Sequence, residues 1–124
     1  MRPTSPSFAV IDGTLFQLTR EGVADGHCAP LATAIEEFLC GPLCVYVRER
    51  PLGLLPGISN LYRLDAALRL EWLAAWPAAC GPCTQIVEVA DNVLIAASSS
   101  GALVRLDAHN GRLLGIDHPL AATG

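Results

Sequence analysis

Apolar and polar positions alternate over short stretches of this chain, and turn-forming residues separate the stretches. Leu103-Val104-Arg105-Leu106 places apolar residues near period two, the spacing of a half-buried strand. Asp107-Ala108-His109-Asn110-Gly111 follows. Asp107 can accept from amides of its own turn, and Asn110-Gly111 tolerates positive φ at low steric cost. Arg112 to Ile116 then suits a returning strand, so the stretch predicts a hairpin.

The hairpin is one of three. Leu15-Phe16-Gln17-Leu18, Leu61-Tyr62-Arg63-Leu64 and Leu103-Val104-Arg105-Leu106 line up at spacings of 46 and then 42 residues. An independent match lies upstream of the last two: Thr33-Ala34-Ile35-Glu36-Glu37-Phe38 and Thr84-Gln85-Ile86-Val87-Glu88-Val89, 51 residues apart. The excess over 42 assigns an insertion to RERPLGLLPGISN, 48–60, which is rich in Pro and Gly. Units at about 8–28, 33–74 and 84–117 result, within a single domain spanning 1–124. The last reads as strands 84–89, 93–98, 102–107 and 112–117, and the middle one as 33–39, 43–48, 60–65 and 69–74. The first has 8–11, 14–19 and a poor strand near 22–28. A strand repeat with a period in the forties predicts an all-β partial β-propeller of four-stranded antiparallel blades, about two and a half of them. DAALRLEWLAAW, 65–76, has helical composition, but its place in the repeat assigns it a strand.

Composition narrows the function. The chain has 124 residues, enough for one modest core, and is 52% hydrophobic and 16% charged. Its eight basic residues are all Arg, spread from Arg2 to Arg112, and the net charge is −4, so no nucleic-acid partner is expected. No run of 18 apolar residues predicts membrane insertion, and MRPTSPSFAVIDGT lacks the apolar stretch of a secretory leader. Five cysteines without such a leader predict free thiols in a reducing, cytoplasmic setting.

LYRLDAALRLEW and LVRLDAHNGRLLG resemble the repeats of quinoprotein-type (PQQ-like) β-propellers, in which a strand leads to Leu-Asp-Ala, a Gly, a basic residue, a strand and a Trp. Leu106-Asp107-Ala108 with Gly111-Arg112 follows that pattern, with Gly115 where Trp is usual. Leu64-Asp65-Ala66 keeps Trp72 but lacks the Gly. The resemblance covers about 100 residues and implies that Asp65 and Asp107 cap turns and that the Trp packs between blades. Such repeats occur in outer-membrane assembly scaffolds, in alcohol dehydrogenases and at the C-terminus of acyl-adenylating enzymes of the aminoadipate-semialdehyde dehydrogenase type. The quinone enzymes carry adjacent cysteines, a metal ion and a complete ring. This chain has no Cys-Cys pair and fewer than three full units, so no catalytic, cofactor-binding or metal-binding residue is expected.

Two cysteine pairs offer other chemistry. Cys80-Gly81-Pro82-Cys83 has a thioredoxin-like sequence, which would require Cys80 at a helix N-terminus. With Cys40 and Cys44 it could form a four-thiolate zinc site, if the pairs meet. Otherwise both are Gly-Pro turns flanked by half-buried thiols. Cys28 has no evident partner, and His27, His109 and His118 fall in turns.

The expected function is a non-catalytic interaction or scaffold module, with a protein partner or self-association through exposed blade faces. The rival readings are a regulatory C-terminal propeller fragment of an acyl-adenylating or quinoprotein dehydrogenase-type enzyme, and a thiol-redox or zinc protein using Cys80 and Cys83. Leu103, Leu106, Leu113 and Leu114 leave the last unit without a polar cap, which predicts self-association or poor solubility.

Overall fold

The structure, a computed structural model, describes residues 7–118. Among these, strands β1 (Ser7–Ile11), β2 (Thr14–Leu18) and β3 (Ala24–Cys28) form a three-stranded sheet. A four-stranded sheet follows, from β4 (Ile35–Cys40), β5 (Cys44–Glu49), β6 (Leu61–Asp65) and β7 (Leu70–Leu73). A second four-stranded sheet comprises β8 (Cys83–Ala90), β9 (Val93–Ser98), β10 (Leu103–Asp107) and β11 (Leu113–Asp117). Every pairing is antiparallel between chain neighbours, so each sheet is a simple meander. The all-β architecture expected from the alternation is therefore present.

The helix-like segment 65–76 becomes a turn and a strand for local reasons. Asp65 Oδ1 accepts the N–H groups of Ala67 at 2.8 Å and Arg69 at 2.9 Å. Leu68 adopts φ +64°, which a continuing helix cannot accommodate. Tertiary burial of Trp72 on β7 completes the override of helical propensity.

Two cores lie between the sheets rather than within one. Leu15 of the first sheet packs with Ile35, Val45, Val47, Tyr62, Leu64 and Leu68 of the second, with Phe8, Val10, Cys28 and Phe38 around them. The opposite face of the second sheet contributes Cys44, Tyr46, Leu61, Trp72 and Ala74 to the other core. There they meet Cys83, Ile86, Leu94, Ala96, Val104, Leu106 and Ala108 of the third sheet. Strand alternation thus gives the middle sheet two apolar faces, one for each neighbour. Segment 50–60 forms no strand and carries exposed Leu52 and Leu55.

Candidate interaction surface

The aspartates act as turn acceptors. Asp107 Oδ1 accepts from His109 N at 2.8 Å and from Asn92 Nδ2 at 3.3 Å, while Asn110 Oδ1 accepts from Arg112 N at 2.9 Å. At Asp65 the Arg69 N–H, the Ala67 N–H and the Arg69 guanidinium hold the carboxyl below the usual range. Thr19 takes the corresponding place in the first sheet, its Oγ1 accepting from Val23 N at 3.2 Å. Trp72 lies between sheets. Its Nε1 donates to Ala108 O at 3.2 Å, and a Cβ added to Gly111 would stand 2.5 Å from its ring. Trp76 Nε1 donates to Gly81 O at 2.6 Å. His27, His109 and His118 are exposed; His27 is on β3, beside the Phe16 ring, rather than in a turn.

The cysteine pairs do not meet. Cys44 pairs with Asp65 at one end of the β5–β6 hairpin. Cys83 sits at the other end, where the Asn60 side chain accepts its N–H at 3.0 Å and donates to its carbonyl at 2.8 Å. Five residues of β5 separate the ends, roughly 17 Å at the rise of an antiparallel strand. Cys80 ends a single 3-10 turn, Ala78–Cys80, and so lacks the helix N-terminus that thioredoxin chemistry needs. Burial pushes the Cys83 thiol up to about 12, away from thiolate reactivity. All five thiols are unpaired, and no group of three His, Cys, Asp or Glu among the described residues is placed to hold a metal ion.

Three polar residues that sequence patterns did not single out join the sheets. Glu49 is fully buried. Its carboxylate accepts the consecutive N–H groups of Leu31 at 2.6 Å, Ala32 at 2.9 Å and Thr33 at 2.9 Å, and also the Tyr62 hydroxyl. Burial, then the bond to Glu49, pushes the Tyr62 hydroxyl well above its ordinary value. Asn60 bridges the Glu49 carbonyl, at 2.8 Å, to Cys83. Glu37 Oε1 accepts from Arg48 Nε at 2.8 Å and from Ile86 N of the third sheet at 2.8 Å. Glu49 and Asn60 were obscured because they fall within or beside the stretch read as an insertion.

The repeat leucines mark the faces. Leu15 and Leu61 are 0% exposed, each covered by the following sheet, whereas Leu103 is 39% exposed. Ile95, Leu103 and Arg105 share this outer face of the third sheet, because Leu94, Ala96, Val104 and Leu106 point into the core. Leu106 therefore does not belong to the open patch that the sequence assigned it to, while Leu113 and Leu114 are exposed.

The arrangement matches a solved structure, BamB from Moraxella catarrhalis, with a TM-score of 0.58 at 21% identity. The match covers 90% of this chain and 37% of that one. The fold is a partial β-propeller. Its sheets are blades 1, 2 and 3 in chain order. No family model and no curated protein sequence matches the chain.

Proposed function

We propose that the chain is a non-catalytic interaction module built from blades of the PQQ-like kind. The observation that carries this reading is the outer face of blade 3. It repeats the positions that blades 1 and 2 use to bind their neighbours, yet leaves Leu103 exposed. An apolar face of that kind is a place for a protein partner. The buried Glu49 and Asn60 and the half-buried Glu37 are engaged in joining blades, which is the work of a scaffold. The five unpaired thiols suit the reducing interior of a cell, where we place the module.

The test is the native size of the tagged chain in cell extract. A complex clearly larger than 13.1 kDa, reduced by Leu103→Arg while the variant keeps its β circular dichroism, is expected. A chain that runs alone in every extract would overturn the reading.

A further inference from the structure

The two interfaces inside the chain define what the outer face of blade 3 can receive. In blade 2, the face toward blade 3 is built around Arg63, with Tyr46 opposite on β5 and Trp72 opposite on β7. In blade 3 the same pairing sets Arg105 opposite Ile95 on β9 and Gly115 on β11. Arg63 uses its position: Nη1 donates to Ala108 O of the next blade at 2.6 Å, and its side chain is 19% exposed. Arg105 is 44% exposed. Its Nε lies 3.0 Å from Asp117 Oδ2 but makes no hydrogen bond, and its guanidinium folds across Gly115. Arg63 Nε is held by Glu71 of its own blade at 2.7 Å, so Arg105 differs twice: its Nε is unbonded, and among the described residues no neighbouring blade offers its Nη groups the carbonyl that Arg63 Nη1 has.

A matching receiving face exists on blade 1. Blade 2 receives blade 1 on Val47 and Tyr62, which are paired across β5 and β6. Ala9 and Phe16 are paired in the same way across β1 and β2, with Leu18 beyond them. Phe8, Val10 and Leu15 occupy the alternate positions and pack on blade 2. Among the described residues, the Ala9–Phe16–Leu18 face has no neighbouring blade. The carbonyl is also supplied: Arg20 follows the turn acceptor Thr19, as Ala108 follows Asp107. Gly115 lacks a side chain and the Arg105 guanidinium lies across it, while a Cβ on the turn glycine Gly22 would meet nothing within 4 Å, which leaves open space on the receiving side.

We propose that the outer face of blade 3 docks the free face of blade 1 of a second copy of this chain. The proposal rests on the interaction reading above and names its partner. Contact is heterologous, Leu103 and Arg105 of one copy on Phe16 and Leu18 of the next, so copies continue the stack head to tail. Arg105 then donates to the Arg20 carbonyl, as Arg63 does to Ala108 within the chain.

Light scattering of the purified 124-residue chain at micromolar concentration tests this, with a multiple of 13.1 kDa expected. Leu103→Arg and Phe16→Arg should each be monomeric alone. Mixed in equal amounts they should form a one-to-one dimer, because each retains the face that the other lacks. Where Phe16→Arg loses its β circular dichroism, Leu18→Arg on the same face replaces it. A wild-type chain that stays monomeric at ~100 µM would overturn the proposal. So would a dimer that survives Phe16→Arg, the mark of blade 3 pairing with itself. A purified monomer whose extract complex still depends on Leu103 would overturn the second-copy partner alone. A monomer in both settings would remove the interaction reading as well.

Discussion

The blade 1–2 and blade 2–3 interfaces serve the same purpose with their large residues on opposite sides. Between blades 2 and 3, Trp72 of the earlier blade covers Gly111 in the turn of the later one. Between blades 1 and 2 the earlier blade offers Gly26, and Leu68 in the later turn reaches back to it, with Cδ1 3.9 Å from the Cβ position. Leu68 and Gly111 are equivalent, each with positive φ just before the strand that closes its turn. The repeat therefore conserves filled volume at the contact, not residue identity. The polar bonds differ as well. The first interface is tied by one buried carboxylate, Glu49, gripping three consecutive linker amides. The second spreads the task over Asn60, Glu37, Arg63 and Trp72.

The volume argument carries the largest expected effect. Trp72→Ala should destabilise the chain by about 4 kcal/mol, measured by urea unfolding, because it empties the centre of a buried cluster. Adding Gly111→Leu should recover about 1–2 kcal/mol by copying the arrangement of the first interface, less the strain of a side chain at φ +77°. Additive losses in the double variant would break the equivalence of the two contacts.

Glu49→Ala should cost about 3 kcal/mol, since it leaves three linker amides and the Tyr62 hydroxyl without their acceptor. The damage should be local. Hydrogen exchange should rise in β1 to β3 and change little in β9 and β10. Equal loosening of blade 3 would show that the two interfaces unfold as one unit.

The glycines separate backbone strain from contact. Gly22 and Gly111 have φ of +80° and +77°, but a Cβ on Gly22 meets nothing within 4 Å, whereas one on Gly111 meets the Trp72 ring. Gly22→Ala should therefore cost about 1 kcal/mol from φ alone, and Gly111→Ala about 2 kcal/mol. Equal losses would mean that the Trp72 ring shifts freely.

The chain's alternation made the sheets legible. The stretch 93–98 was read as a strand and is β9, because Leu94, Ala96 and Ser98 face inward while Val93, Ile95 and Ala97 face out. The role of Trp72 was also readable, through the repeat resemblance. Glu49 was not: in sequence, a carboxylate in Arg48-Glu49-Arg50 looks like an exposed charge run, and only the approach of residues 31–33 makes it a buried acceptor. Leu106 was misassigned because counting leucines ignores strand parity. The Leu68–Gly26 contact had no signal, since it couples a turn of one blade to an edge strand of another.

The smallest effect distinguishes the hairpin turns by their acceptors. Asp65 caps the β6–β7 turn with a carboxylate, whereas Thr19 caps the β2–β3 turn with a hydroxyl that does not titrate in the working range. The Arg69 and Ala67 amides and the Arg69 guanidinium lower the Asp65 pKa from its ordinary 3.8. A lowered folded pKa means that the carboxylate form stabilises the fold above pH 3.8 and that this support fades as pH falls through the folded value. Amide exchange at Ala67 and Arg69 should therefore speed up, after correction for intrinsic rates, on acidification below about pH 4. Val23 in the Thr19 turn should show no such step. The contribution is slight, because Asp65 is solvent-facing and its charge is screened. Asp65→Asn should remove the acid step at Arg69 while retaining an amide oxygen as acceptor. A step that persists in that variant would assign it to another carboxylate, with Glu36, which Arg48 holds below the usual range, the first to replace by Gln.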